Sequence, residues 1–277
     1  MEEDLLKKAI NGDIKAFQAL FLEFQPQLKS YLYRLLADRN DVEDLSQDTF
    51  VKAYDKLSTF KGTSSLKTWV FQVATNLCYD FLRKRKRWQP DAQDKAKTLA
   101  MSSQEIADAF VKVHQHSPYG RYYVSEHIDF CFTCISKTLT IEQQVALILK
   151  DIYDFSRKEI GQILNKSEGV VKHLLFDARK LMMDIFDRRC ALVSKNGVCH
   201  QCTELAGIYN PKQTEREELM KIEMVAQAEK RDRRSLYELR ARLVAEIDPL
   251  RSGGSDMQDI IMQCTRQAIG EIDTMNP

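Results

Sequence analysis

Residues 41–87 constrain the fold of this chain most, because an amphipathic helical pattern rich in acidic residues is followed there by one that ends in cations. The first pattern predicts a helix that begins after Asp41 as its N-cap. Its predicted buried positions are Val42, Leu45, Thr49, Ala53 and Leu57. The second pattern predicts a helix that begins near Ser64 or Ser65 and is followed by the cations of residues 83–87. Its predicted apolar stripe comprises Trp69, Val70, Val73, Leu77 and Phe81.

Acidic and basic residues are concentrated in different parts of the chain, and the net charge of the whole chain does not show this. The formal net charge of the 277 residues is +1, whereas residues 61–90 contain seven Lys or Arg residues and one Asp. Residues 1–60 contain eleven acids and eight Lys or Arg residues. An acidic surface fits a basic protein and a basic helix fits nucleic acid, so the split predicts two partners. A merely solvated acidic face is the alternative for the first helix.

Helical patterns extend over most of the chain, which has only 10 Gly and 6 Pro, and they predict an all-α fold. The first domain is predicted to span residues 1–88, where a helical pattern from Asp4 to Ala37 is expected to break near Pro26. Neither a signal peptide nor an apolar run of membrane-spanning length is evident, so we expect a cytoplasmic chain with no membrane partner.

A long polar linker, residues 89–126, is predicted to join the first domain to a second one. The linker pattern favours one short helix, capped by Ser102 or Ser103 and ending near Val113. His114, His116 and His127 are expected to be exposed to solvent.

Residues 127–189 form the second predicted domain and contain a helix-turn-helix pattern. A helix over Ile141–Ile152 is followed by DFSRKEIGQIL, the turn NKS and EGVVKHLLFDARKLMM. Ser156 and Ser167 are predicted helix caps, and Gly161 is expected where helices approach closely. The second helix of such a pair enters the major groove of DNA.

In this order the patterns resemble the extracytoplasmic-function sigma factors, small bacterial initiation factors of RNA polymerase in the sigma-70 family. NGDIKAFQALFLEFQPQLKSYLYRLLADRNDVEDLSQDTFVKAY and FKGTSSLKTWVFQVATNLCYDFLRKRKR resemble region 2 of that family, and residues 127–189 resemble region 4. The resemblance implies a non-enzymatic factor with no required cofactor, which binds core polymerase, directs it to promoters and helps to melt the −10 region. The implied partners are promoter DNA and the β′ clamp helices and β flap of the polymerase.

The resemblance also implies three sets of contact residues. Polymerase contacts fall on Asp44, Gln47, Asp48 and Phe50. Contacts with the −10 element, where loop 58–65 holds a flipped base, fall on Phe60, Lys61, Ser64, Trp69, Asn76, Asp80, Arg83, Lys84, Arg85, Lys86 and Arg87. Contacts with the −35 element fall on Glu168, Val171, Lys172, His173, Phe176, Arg179 and Lys180. Trp69 also lies on the predicted apolar stripe, so a core position is its alternative. With three cations and two acids in residues 167–180, this domain alone is expected to bind DNA weakly.

The cysteines leave three alternatives open. They are buried or unpaired thiols, a redox-active dithiol, or ligands of a structural Zn²⁺ ion. The zinc site would use Cys190, Cys199 and Cys202, together with His200 or a thiol of the pair Cys131 and Cys134. Cys78 and Cys264 are expected to be ordinary helix residues.

Beyond the second domain the sequence predicts a cysteine-containing loop, residues 190–212, and a helical C-terminal extension, residues 213–277. The extension is predicted to form one long or hinged helix over Gln213–Ile247 and a short helix over Asp256–Ile272. With eleven cations and fourteen acids in residues 203–277, DNA binding by this part is not expected. The extension is expected either to pack on its own domain or to bind an accessory recruiting protein or an anti-sigma factor.

Two other functions stay open on the sequence alone. One is a helix-turn-helix regulator that binds DNA without polymerase, and the other is a thiol- or zinc-dependent sensor with a sigma-like output.

Overall fold

The computed structural model describes residues 2–85, 87–119, 121–190 and 219–275. Within these ranges the chain forms thirteen α-helices, one 3-10 turn at Leu57–Thr59 and no β-strand. The predicted all-α class is therefore confirmed. Over the same ranges, we find no helix that combines the length and the apolar character needed to cross a membrane.

The first part of the chain consists of four helices. They are α1 (Glu2–Ile10), α2 (Ile14–Leu36), α3 (Arg39–Asp55) and α4 (Leu66–Leu82). The predicted break near Pro26 is wrong, because α2 continues through that proline. The chain breaks instead at Gly12, whose φ of +97° suits a residue without a Cβ. Asp13 then caps α2 by accepting hydrogen bonds from the backbone amides that follow it.

The start of α3 also differs from the prediction. Asp38, not Asp41, is the N-cap, and its carboxylate accepts a hydrogen bond from the Asp41 amide at 3.0 Å. The predicted inner face of this helix is confirmed. All five of its positions are buried: Val42, Leu45, Thr49, Ala53 and Leu57.

Helix α4 begins after Ser65, which accepts a hydrogen bond from the Thr68 amide at 3.0 Å. Its buried face is rotated relative to the predicted stripe. The buried residues are Leu66, Thr68, Val70, Phe71, Ala74, Thr75 and Cys78, whereas Trp69, Val73, Leu77 and Phe81 are half-buried. The difference arises from tertiary packing, because α4 is covered by α2 and α3 and also by the second domain.

The second domain contains α7 (Val124–Ser136), α8 (Ile141–Asp151), α9 (Arg157–Leu164) and α10 (Glu168–Arg189). Helices α9 and α10 form the predicted helix-turn-helix, and Ser156 and Ser167 cap them as predicted. A Cβ atom added to Gly161 would lie 2.7 Å from the carbonyl oxygen of Lys166, which explains a glycine at this close approach. In contrast to the expectation, His127 is only 1% exposed. His116 is exposed and His114 is half-buried.

The linker holds two helices, α5 (Ala92–Ser102) and α6 (Gln104–His116), where one was predicted. Both pack against the last helix, α13 (Ser255–Ala268). Together they enclose a second hydrophobic core that includes Trp88, Ile106, Phe110, Met257, Ile260 and Met262. The polar linker is therefore ordered by apolar residues that lie far away in the sequence.

The C-terminal extension contains α11 (Glu223–Gln227) and α12 (Arg233–Glu246) before α13. The predicted long or hinged helix is thus two helices separated by residues 228–232, and its first residues, 213–218, lie outside the described residues. Asp232 caps α12 by accepting a hydrogen bond from the Ser235 amide at 2.8 Å. Helix α12 packs on α7, α8 and α10, so the extension covers the second domain of its own chain.

A buried ion pair joins the two domains and the extension. Arg34 of α2 is 1% exposed, and it donates a hydrogen bond to Asp129 of α7, which is 0% exposed. The Nη2 atom of Arg34 donates to the carbonyl oxygens of Val244 at 3.0 Å and Ile247 at 2.9 Å. Gln258 of α13 donates to the second oxygen of Asp129 at 2.6 Å. Four helix segments therefore meet at one charge pair.

Candidate polymerase and promoter interface

The predicted polymerase-binding face lies on α3. Asp44, Gln47 and Asp48 are exposed, whereas Phe50 is half-buried and packs on the rings of Phe17 and Phe21, each with a centroid distance of 5.2 Å. Phe50 therefore packs against the core and also lines the groove described next. More exposed apolar surface comes from Val51 on α3 and Leu22 on α2.

These two apolar residues flank a shallow groove of about 320 Å³ between α2 and α3. Val51 is 56% exposed and Leu22 is 53% exposed, so two large apolar side chains at the edge of the groove face solvent. An acidic rim beside an apolar groove fits a basic, amphipathic protein surface. Sequence reasoning missed Leu22, because only the packing of α2 on α3 places it beside the acidic face.

Loop 58–65 connects α3 to α4 and carries an aromatic pair at its base. Phe60 and Trp69 are both half-buried, and their ring centroids lie 5.4 Å apart. Trp69 is therefore neither fully core nor free, and part of its surface faces solvent. The loop also contacts the second domain, because Gln162 of α9 donates a hydrogen bond to the carbonyl oxygen of Thr63 at 3.1 Å.

The outer face of α4 presents three of the predicted −10 contacts. Asn76, Asp80 and Arg83 are exposed, and Arg83 lies 3.6 Å from the Asp80 carboxylate. Gln72, which precedes them on the same predicted face, points elsewhere and donates to the carbonyl oxygen of Gln162 at 2.8 Å. One face of α4 is thus open to solvent and another is fixed to α9.

The cations that follow α4 are not equivalent. Lys84 and Arg87 are exposed, although the Arg87 Nε also donates to the Thr138 carbonyl oxygen at 2.6 Å. Arg85 is half-buried, pairs with Asp41 at 2.7 Å and stacks on the Phe81 ring at 4.2 Å. Its guanidinium therefore holds the end of α4 onto α3. The predicted contact Lys86 lies outside the described residues.

Most of the predicted −35 contacts lie on the open face of α10. Glu168, Lys172, His173, Phe176 and Lys180 are exposed. Val171 is fully buried in the hydrophobic core, so it cannot face a DNA groove. Arg179 forms two hydrogen bonds to Asp151, one of them at 3.0 Å, and this pairing raises the pKa of the guanidinium.

The cysteines of the described residues are all buried: Cys78, Cys131, Cys134, Cys190 and Cys264. No cluster of three or more His, Cys, Asp or Glu side chains suited to a metal occurs in the part of the chain that the structure describes. The Cys190 sulfur lies 2.9 Å from a guanidinium nitrogen of Arg240. The other predicted zinc ligands, Cys199, His200 and Cys202, lie outside the described residues.

Comparisons with known proteins agree with this layout. The family model of Sigma-70 region 2 matches residues 20–88, and that of Sigma-70 region 4 matches residues 130–182. The RNA polymerase sigma-H factor of Pseudomonas aeruginosa is 27% identical over 183 residues, which are 65% of this chain and 90% of that protein. The ECF RNA polymerase sigma factor SigW of Bacillus subtilis is 29% identical over 184 residues, 64% of this chain and 92% of that protein.

Among solved structures, the sigma factor RpoE of Bartonella quintana, in complex with the anti-sigma factor NepR, is similar with a TM-score of 0.44 and 23% identity. The match covers 62% of this chain and 98% of that one.

On the two region models and the sequence relatives, the chain belongs to the sigma-70 family, in its extracytoplasmic-function group. Neither region model reaches the C-terminal extension, because the second one ends at residue 182.

Proposed function

We propose that this chain is a non-enzymatic transcription-initiation factor that acts in the cytoplasm. It binds core RNA polymerase, directs the enzyme to promoters and helps to melt the −10 region. The nucleotidyl transfer itself belongs to the polymerase. Residues 1–88 act as region 2 and residues 127–189 act as region 4, with α5 and α6 between them.

The observation that carries the proposal is the pair of opposite surfaces on α3 and α4, within the segment that the region 2 model matches. The exposed acids Asp44 and Asp48 stand beside an apolar groove, as a basic protein partner requires. The exposed face of Asn76 and Arg83 carries amide and guanidinium groups that bind base edges. The aromatic pair under loop 58–65 offers a stacking surface for an unpaired base, whose extrusion costs a few kcal/mol.

The decisive experiment is transcription in vitro from a cognate promoter with core polymerase and the purified chain. The double variant Asp44→Lys/Asp48→Lys should lose core binding, because it reverses the charge of the exposed acidic rim. The matched control is Glu105→Lys/Glu246→Lys, which reverses two exposed acids on α6 and α12 and should bind core normally.

A chain that neither binds core nor supports initiation at any promoter would refute the proposal. If the chain were a helix-turn-helix regulator that acts without polymerase, the Asp44→Lys/Asp48→Lys variant would keep its function. A metal assay on the reduced protein tests the third function, a zinc- or thiol-dependent sensor. Within the described residues, Cys190 belongs to no group of side chains that could hold a metal ion, and its sulfur contacts the Arg240 guanidinium.

Region 4 is proposed to contact the β flap and the −35 element. Because the described part of the C-terminal extension packs on the second domain and on the linker helices, an anti-sigma factor or recruiting protein would have to use its outer face. Deletion of residues 213–277 would also remove the helices that cover the second domain and the linker helices. Substitutions of exposed residues on the outer face of the extension therefore separate the two roles: lower transcription would indicate recruitment, and higher transcription would indicate autoinhibition.

A further inference from the structure

An open groove of about 830 Å³ lies between α10 of the helix-turn-helix and α12 of the C-terminal extension. Its charged lining has an excess of four positive charges. The lining cations are Arg157, Lys172, Arg179, Lys180, Arg234 and Arg242, and the lining acids are Asp151 and Glu238. Residues 203–277 as a whole are acidic, so this local excess is not visible in the composition of the extension.

Two rows of side chains face each other across the groove. Lys172, Phe176 and Lys180 follow one another at four-residue spacing along α10. Arg234, Glu238 and Arg242 do the same along α12. Residues at this spacing lie on one face of a helix, so each helix presents one wall.

Specific contacts hold the α12 wall beside α10. The Tyr237 hydroxyl donates a hydrogen bond to Asp151 at 2.6 Å, and Asp151 is the acid that also binds Arg179 of α10. Arg233 forms an ion pair with Asp184 of α10. The arrangement of the two walls is therefore part of the fold of the second domain.

We propose that α12 completes the DNA-binding surface of region 4. In this arrangement α10 contacts the duplex, and Arg234 and Arg242 of α12 bind backbone phosphates of the same duplex. This inference rests on the proposed function. It assigns a nucleic-acid role to a helix that lies beyond both region models.

The state of the two arginines supports this role. Arg234 pairs with Glu238 at 3.1 Å, with side chains 83% and 59% exposed. Arg242 lies 4.0 Å from Glu223, with side chains 67% and 66% exposed. Ion pairs between such exposed groups contribute little to stability, so a phosphate can replace either carboxylate at low cost.

The position of the groove favours DNA over an acidic peptide. Helix α10 is the second helix of the helix-turn-helix, which enters the major groove in this motif. On the same row as Lys172 and Lys180, Phe176 is 66% exposed and is free to contact a base edge. The α12 cations flank this row, where phosphates of the bound duplex would run.

The test uses the full chain and a random-sequence duplex of about two helical turns, because phosphate contacts carry no sequence information. Fluorescence anisotropy at 50 to 200 mM salt gives the affinity and its salt dependence. For Arg234→Ala/Arg242→Ala we expect weaker binding and a salt slope smaller by about 1.8, since each phosphate contact contributes about 0.9. The loss of affinity between 50 and 200 mM salt then shrinks by about tenfold.

Glu238→Gln should have the opposite effect. It removes the acid beside Arg234 and should raise the affinity for the duplex. The matched control is Arg251→Ala, an exposed arginine of the extension that does not line the groove. It should leave both the affinity and the slope unchanged. Thermal unfolding of each variant checks that the fold is retained.

Unchanged affinity and slope in the double variant would overturn the inference, and so would equal effects of Arg251→Ala. Transcription with core polymerase separates this failure from failure of the proposed function. If the wild-type chain supports initiation and the double variant binds the duplex as the wild type does, only the role of α12 is refuted. An acidic protein segment would then be the anion that the groove fits.

Discussion

Helices α4 and α10 both begin after a capping serine and both present an exposed face to DNA in the proposed function, but they obtain positive charge in different ways. The cations of α4 follow it directly in the chain, at residues 83–87. On α10, Lys172 and Lys180 are exposed, whereas Arg179 is tied to Asp151. Further cations reach α10 from a helix of the C-terminal extension. A charged surface can thus be encoded within one segment or assembled from two.

The largest effect is expected from a substitution in the buried ion pair that joins the two domains. Asp129→Asn removes the carboxylate that pairs with the buried Arg34, and it leaves a charge without a counter-ion between the two domains. We expect a loss of about 3–5 kcal/mol in the free energy of unfolding, measured by urea denaturation. The control Glu43→Gln breaks the partly exposed Lys29–Glu43 pair and should cost at most about 1 kcal/mol. Equal costs would mean that the domains do not depend on this pair.

The next effect tests the proposed role of α4 in reading bases. Asn76→Ala should reduce the preference for one base pair of the −10 element by about 1–3 kcal/mol, because a lost base contact is worth that much. Open-complex formation by the holoenzyme on matched and mismatched promoters measures it, and core binding should not change. The control is Asn40→Ala, an exposed asparagine on α3. Equal losses on both promoters would show that the α4 face is only solvated.

A third prediction compares the two sources of charge directly. Lys84→Ala/Arg87→Ala removes two exposed cations next to α4, as many as the Arg234→Ala/Arg242→Ala variant removes from α12. Both should lower the salt slope of duplex binding by about 1.8. Only the first should also slow promoter melting, because its cations lie at the proposed −10 surface. If the two variants have the same effect on melting, the surfaces are not functionally separate.

The last prediction concerns pH and bears on the extension. Burial, and secondarily the charge of Arg240 on α12, lowers the pKa of His127 from 6.5 to about 3. The unfolded chain takes up a proton near pH 6.5, whereas the folded chain takes it up only near pH 3. Stability present above pH 6.5 is therefore lost as the pH falls, by about 1.4 kcal/mol per pH unit.

The variant His127→Gln should flatten this dependence between pH 6.5 and 5, above the range in which most carboxylates titrate. Urea denaturation over this range measures it. His116→Gln, which changes an exposed histidine, should leave the wild-type slope intact. A His127→Gln variant with the wild-type slope would mean that the buried imidazole does not control acid sensitivity.

Local sequence determined the helices that have strong caps and clear periodicity. Ser65, Ser156 and Ser167 mark true helix starts, because a hydroxyl that accepts from the amide three residues on satisfies a donor that the helix leaves free. The buried face of α3 follows from its apolar spacing alone. The charge split between α3 and α4 is likewise visible in the residues themselves.

Tertiary structure decided the rest. The buried face of α4 includes Phe71, whose ring lies 5.0 Å from that of Phe155 in the second domain, so no local pattern could fix it. Helix α5 forms in a polar segment because α13 covers it. Arg234 and Arg242 reach the helix-turn-helix only through the packing of α12 on α10. Periodicity specifies which residues share a helix face, but burial and charge depend on which distant segment covers that face.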